Sequence, residues 1–77
     1  MPKWIADIEY AGTSSGIIDD SWKETNEYIV NELDSEMLNL SSDEVDEAII
    51  YFVNVEEDSE VKYEVGNYTI RLERDNG

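Results

Sequence analysis

The chain has 77 residues, 40% of them hydrophobic, and contains neither cysteine nor histidine. We expect one small domain spanning residues 1–77, without disulfides, thiolate metal sites or the commonest nucleophile–base pairs of enzymes. Twenty Asp and Glu against five Lys and Arg give a formal net charge of −15, which excludes direct binding to nucleic acid or to anionic membranes.

The first ten residues, MPKWIADIEY, lack the basic start and apolar core of a signal peptide. No apolar run approaches the roughly 20 residues of a membrane span. These features predict a soluble, cytoplasmic protein. No motif indicates a cofactor or a metal, and we expect neither.

Residues 4–10 alternate between apolar and polar side chains, which predicts a half-buried strand. Residues 11–16, AGTSSG, predict a loop. Two glycines beside serines are also found in phosphate-binding loops, but the GxxxxGK[ST] spacing is absent here. Ile17 and Ile18 then form an apolar patch before the first helix.

A first helix is predicted over residues 21–38, opened by a capping box of Ser21 and Glu24. Its apolar stripe consists of Trp22, Ile29 and Leu33, with Met37 at the edge. The opposite face carries Glu24, Glu27, Asn31 and Asp34.

A second helix follows a break at residues 38–40, because Ser41 and Glu44 form another capping box. Its apolar residues recur at helical spacing: Val45, Ala48, Ile49, Phe52 and Val53. Asp43 and Glu47 lie opposite this stripe, and Asp46 lies on its shoulder. Ile50 and Tyr51 also point away from it, and they either contact another part of the core or lie exposed among the acids.

The remaining residues predict an acidic connector and a hairpin. Residues 56–60, EEDSE, lack the D-x-D-x-D-G pattern of a calcium loop and are interpreted as a solvated connector. Residues 61–74 form the hairpin, with a type II′ turn at Gly66 and Asn67 that places the apolar side chains of both strands on one face. Residues 75–77 are predicted to fray.

The predicted fold class is α+β, in the order β-α-α-β-β, with a three-stranded antiparallel sheet and two helices packed on one face. The first strand is expected to pair with a hairpin strand at the sheet edge. The predicted core is Trp4, Ile8, Trp22, Ile29, Leu33, Val45, Ile49, Phe52, Val61, Tyr63, Ile70 and Leu72.

The sequence argues against two chemical roles for the acidic residues. Paired carboxylates can act as acid and base, but a domain this small leaves little room for a cleft, so we expect no enzyme and no catalytic residue. Asp34-Ser35 is similar to the Asp-Ser of acyl carrier proteins. However, Glu36 replaces the usual Leu, and a hairpin occupies the C-terminal third.

The acidic helix faces are the remaining feature. Residues 24–61 contain no Lys or Arg, whereas ordinary helices intersperse them for pairing with acids three or four residues away. Such acids lie about 5–6 Å apart, and DNA also carries a phosphate every few ångströms. Rows of carboxylates can therefore imitate phosphates.

In size, charge and cysteine-free α+β make-up, the chain resembles small phage-encoded inhibitors that mimic DNA. These include anti-restriction, anti-CRISPR and uracil-glycosylase-inhibitor proteins. They share no motif, so the resemblance assigns no residue a role. It implies a partner that is a basic nucleic-acid-binding protein of the nuclease, restriction or CRISPR effector class. If the chain is phage-encoded, the resemblance implies that it binds this partner in the host cytoplasm.

The sequence thus predicts an acidic inhibitor that blocks a basic DNA- or RNA-binding groove. The predicted contact residues are Glu24, Glu27, Asp34, Asp43, Asp46 and Glu47. One alternative is an acidic antitoxin-like or adaptor protein that binds a basic partner without mimicry. Another is an acidic surface that serves only solubility, as in salt-loving organisms. The pattern leaves the oligomeric state open.

Overall fold

The computed structural model describes residues 3–75, which form four strands and two helices. The strands are β1 (Lys3–Tyr10), β2 (Thr13–Asp19), β3 (Val61–Val65) and β4 (Tyr68–Asp75), and the helices are α1 (Trp22–Asp34) and α2 (Ser42–Asn54). The strands form one antiparallel sheet in the order β2-β1-β4-β3. The predicted α+β class is confirmed. The predicted three-stranded sheet is wrong, because the element order is β-β-α-α-β-β.

The strand missing from the prediction is β2, which occupies most of the segment predicted as a loop. Ala11 and Gly12 both have positive φ, at 52° and 82°, as a type I′ turn requires, and they join Tyr10 directly to its partner Thr13. Because β2 takes the sheet edge, β1 lies in the interior between β2 and β4. The predicted pairing of the first strand with the hairpin is confirmed, but its edge position is wrong.

One face of the sheet is buried beneath the helices. On β1 the buried residues are Trp4, Ala6 and Ile8, and on β4 they are Tyr68, Ile70 and Leu72. The register places Ala6 opposite Leu72 and Ile8 opposite Ile70, so these side chains share one face. Both helices pack on this face, α1 over β1 and β2 and α2 over β3.

The predicted core is largely confirmed. Eight of its members are buried: Trp4, Ile8, Trp22, Ile29, Leu33, Phe52, Ile70 and Leu72. Val45, Ile49, Val61 and Tyr63 are half-buried and pack against these. The prediction missed Ala6, Ala48, Tyr68 and the polar pair Thr25 and Asn26, which are also buried. It placed Val53 and Met37 on or beside the apolar stripes, yet they are 63% and 82% exposed.

Helix α1 is shorter than predicted and is capped differently. It ends at Asp34, because Ser35 is the C-cap and Glu36 adopts the left-handed conformation, with φ of 61°. At the other end, the Ser21 hydroxyl accepts from the Glu24 N–H at 3.4 Å. The reciprocal half of the predicted capping box is replaced by Asp19, whose carboxylate accepts from the Ser21 N–H at 2.8 Å.

The second capping box and the hairpin register are confirmed. Ser41 and Glu44 each accept a hydrogen bond from the other's backbone N–H, at 3.2 and 3.0 Å. Val61, Tyr63 and Val65 pair with Leu72, Ile70 and Tyr68, as predicted. The turn has φ of 57° at Gly66, consistent with type II′. Of the predicted fraying tail, Asp75 belongs to β4, and residues 76–77 lie outside the described residues.

Two side-chain hydrogen bonds fix the helices relative to the rest of the fold. The Asn26 amide donates to the Phe52 carbonyl at 3.1 Å and so joins α1 to the end of α2. The Trp22 indole N–H donates to the Ser59 carbonyl at 2.9 Å and holds the acidic connector against the start of α1. The buried polar atoms at the helix interface are therefore satisfied.

Candidate interaction surface

The net charge is concentrated in the helical layer and the connector. Thirteen of the twenty Asp and Glu lie between residues 24 and 61, which contain no Lys or Arg. The other seven acids share the rest of the chain with all five Lys and Arg, so that part has a net charge of only −2. The fold therefore has one nearly neutral layer, the sheet, and one strongly negative layer.

The six predicted contact residues are all exposed on this negative layer. Glu24, Glu27 and Asp34 lie along the outer side of α1, and Asp43, Asp46 and Glu47 lie along the outer side of α2. Within each helix these acids recur every three or four residues, apart from the seven-residue step to Asp34. Neighbours at such spacing lie about 5–6 Å apart.

The ion pairs within residues 3–75 belong to the strands rather than to the helices. The Arg71 guanidinium lies 3.4 Å from the Glu9 carboxylate and 3.9 Å from that of Asp7, and the Lys62 amine lies 3.6 Å from the Glu64 carboxylate. These pairs lie on the sheet face opposite the helices. Arg74 is positioned over the Trp4 ring, 5.0 Å from its centroid. Among residues 3–75, none of these ion pairs involves a helical carboxylate, and Lys23 at the start of α1 is the only cationic residue on either helix.

A groove brings acids of both helices together. It is lined by the apolar residues Leu38, Leu40, Val45 and Ile49, by Ser42, and by the acidic residues Asp34, Glu36 and Asp46. Its volume is about 390 Å³, at the lower end of the range for ligand pockets. Of the predicted contact residues, Asp34 and Asp46 therefore share one site, whereas Glu24 and Glu27 lie outside it.

The sheet holds the loop that forms one side of this groove. The Tyr68 hydroxyl accepts from the Asn39 N–H at 2.8 Å. Gly66 lies so close to this loop that a side-chain carbon there would be 2.8 Å from the Leu40 side chain. The loop that carries Asn39 and Leu40 therefore has a defined position on one side of the groove.

The outer side of α2 also exposes apolar side chains among its acids. Ile50 is 62% exposed and lies one helical turn from Asp46 and Glu47. The sequence predicted that Tyr51 would point away from the stripe together with Ile50. Of the two expected alternatives, Tyr51 contacts another part of the core: it is half-buried, with its ring stacked on that of Tyr63 at 4.7 Å. Ile50 is thus the more accessible of the two.

The phenol of Tyr28, on α1, has a raised pKa. Burial of its phenol raises the pKa, and the neighbouring Glu32 carboxylate raises it further by disfavouring a second negative charge. The raised pKa keeps the Tyr28 phenol neutral to a higher pH than that of an exposed tyrosine, at the boundary between α1 and the sheet.

Sequence reasoning missed the groove because it interpreted residues 38–40 only as a helix break. One signal was available: Leu40 precedes the cap residue Ser41, and Val45 is the fourth residue of α2, which are the two positions of a hydrophobic staple. Both line the groove. The contribution of Leu38 required the tertiary structure.

Among residues 3–75, neither helix is long and apolar enough to cross a membrane. The chain matches no protein-family model, no curated protein and no solved structure.

Proposed function

We propose that this protein is an acidic inhibitor that binds a basic nucleic-acid-binding protein and blocks its groove by competition. The observation that carries the proposal is the segregation of charge: thirteen acids and no Lys or Arg between residues 24 and 61. A net charge this one-sided destabilises the compact state by self-repulsion. A basic partner would relieve that repulsion.

The arrangement of the acids supports competition with nucleic acid. The carboxylates follow two helices at spacings of about 5–6 Å, and these can occupy Lys and Arg sites that otherwise hold phosphates, releasing the counterions of both surfaces. Exposed charges mainly set the rate of association and its salt dependence, whereas buried charge pairs contribute more each. We therefore expect single substitutions such as Glu27→Gln to have small effects.

The test uses a variant in which Glu24, Glu27, Asp34, Asp43 and Glu47 are all replaced by their amides. It is assayed for inhibition of DNA binding and cleavage by a panel of purified nucleases of the restriction and CRISPR effector classes. We expect the parent to inhibit a member of the panel, excess duplex DNA to relieve the inhibition, and the variant to be weaker by orders of magnitude.

A matched control separates position from total charge. Glu56, Glu57, Asp58, Glu60 and Glu73 are also exposed, and replacing them by amides removes the same amount of charge from the connector and from β4. We expect this variant to retain most of the inhibition. If this variant loses as much inhibition as the helical variant does, the net charge alone accounts for the inhibition. If neither variant weakens, the proposal is wrong.

The second candidate is an acidic binder of a basic protein that does not imitate nucleic acid. The exposed Ile50 and Val53 and the apolar groove favour it, because DNA phosphates offer no apolar counterpart. The same assay distinguishes the two. Binding that survives excess DNA, with the panel nucleases still active, would support the antitoxin-like or adaptor role.

A further inference from the structure

We propose that the groove between the end of α1 and the start of α2 binds an apolar side chain from a Lys- or Arg-rich segment of the partner. This inference takes from the proposed function that the partner is basic. It adds a specific anchoring site and the chemistry of the segment that occupies it.

The groove combines two kinds of surface. Four apolar residues line it, Leu38, Leu40, Val45 and Ile49, and each is already half-buried against the core. The acidic residues Asp34, Glu36 and Asp46 line the same space, and among the described residues no Lys or Arg does. An occupant therefore needs an apolar group for the four apolar residues and positive charge beside it for the three carboxylates.

This combination excludes several other occupants. Nucleic acid and anionic ligands would place negative charge beside Asp34, Glu36 and Asp46. A second copy of the chain would bring a net charge of −15, and its Lys62 and Arg71 are already paired with carboxylates of its own sheet. A basic peptide segment with a side chain such as Leu matches both the apolar lining and the charge.

The groove is preformed in the absence of a partner. The Asn39 N–H is bonded to Tyr68, and the Ser41–Glu44 capping box fixes the start of α2. Glu36 adopts the left-handed conformation directly after Ser35, the C-cap of α1. A preformed site avoids much of the entropy cost of ordering on binding. The groove can therefore discriminate between side chains on the partner.

The first experiment uses two synthetic Lys/Arg-rich peptides of equal length and charge, one with a central Leu and the other with a central Ala. Affinities are measured by calorimetry at physiological salt, and the site is located by amide chemical shifts. We expect the Leu peptide to bind about tenfold more tightly or better, since it buries several more methyl and methylene groups. We expect the largest shifts within residues 34–49. Equal affinities would overturn the inference.

The second experiment fills the groove without changing its charge. Ser42 lines the groove and is exposed, so the Trp side chain of Ser42→Trp should occupy the space. The ratio of the Leu-peptide affinity to the Ala-peptide affinity should then fall to near one. The matched control is Asn31→Trp, an equally neutral change on the exposed side of α1 outside the groove. If the control abolishes the advantage too, or if Ser42→Trp preserves it, the groove is not the anchor.

The two proposals can fail separately. If DNA fails to compete while the Leu peptide keeps its advantage, the inhibitor proposal fails and the groove stands. If the helical amide variant loses inhibition but Leu and Ala peptides bind alike, the groove fails and charge competition stands. An NMR spectrum with dispersed amide resonances is recorded for each variant as a control. It shows that the variant is folded, so neither result reflects unfolding.

Discussion

The Tyr68 hydroxyl accepts a hydrogen bond from the backbone N–H of Asn39 at 2.8 Å, across 29 positions of the chain. The Tyr68 ring is itself buried and stacks on that of Tyr10 at 4.5 Å, so its hydroxyl is held in one place. Through this bond, β4 positions the loop between the helices. The groove depends on the sheet as well as on the helices.

We predict that Tyr68→Phe loosens this loop without unfolding the protein. The Asn39 N–H loses its acceptor, and because Asn39 is exposed, water can replace it, so the expected cost is the net contribution of one hydrogen bond, about 0.5–1.5 kcal/mol. Hydrogen exchange at the Asn39 amide should therefore accelerate more than exchange at core amides. Tyr63→Phe is the control, because no hydrogen bond is found for the Tyr63 hydroxyl within residues 3–75. Unchanged exchange at Asn39 in Tyr68→Phe would contradict the prediction.

Phe52→Ala should unfold the domain or nearly do so. Phe52 is 1% exposed and packs edge-on against Tyr51 and Tyr63. Truncating a buried Phe typically costs about 3–5 kcal/mol, and a domain this small has little more to lose. Ile50→Ala, at an exposed position on the same helix, should leave the melting temperature within a few degrees of the parent. A stable Phe52→Ala variant would argue against the assigned buried face of α2.

Gly16→Ala should disrupt the pairing of β2 with β1. A side-chain carbon at Gly16 would lie 1.8 Å from the Ala6 carbonyl oxygen, a backbone atom that cannot move away without breaking the strand pairing. We expect a clear loss of stability and rapid amide exchange along β2. Ser14→Ala, on the same strand and exposed, is the control and should be nearly neutral. If both variants melt alike, β2 does not pack as closely as described.

Monovalent salt should stabilise the isolated protein. The helical carboxylates repel one another with only Lys23 among them, and salt screens exposed charges over a Debye length of about 10 Å at 0.1 M. The melting temperature should rise from low to moderate salt. The variant with five helical amides should melt higher at low salt and respond less to added salt. A flat or falling parent curve would show that the repulsion is already balanced.

The stability should fall at alkaline pH partly through Tyr28. Its pKa is raised in the folded state, so the neutral phenol is favoured there. This contribution is fully present below the unfolded value of about 10 and is lost as the pH rises through the folded pKa. Tyr28→Phe cannot ionise and should lose less stability than the parent between about pH 9 and pH 11. Parallel losses in both proteins would exclude a role for Tyr28.

The sequence by itself determined the elements whose signals are local. Side-chain periodicity identified α2 and the apolar face of α1, and the Gly66–Asn67 turn defined the hairpin register. Each depends on residues within one or two helical turns, or on directly opposed residues of a short hairpin. The absence of Lys and Arg from residues 24–61 is equally visible in the sequence, and it carries the proposed function.

The tertiary structure determined those parts of the fold in which the local sequence preference for a helix or strand is weak. Residues 13–16 are small and polar, with little strand signal of their own, yet they pair with β1 because Ala11 and Gly12 turn the chain back on itself. Leu38 and Leu40 lie outside the helices. They become parts of a groove because Tyr68, far along the chain, accepts a hydrogen bond from their loop, and because Gly66 leaves room for the Leu40 side chain. Such long-range contacts leave little trace in local periodicity, so the fourth strand and the complete groove emerged from the assembled fold.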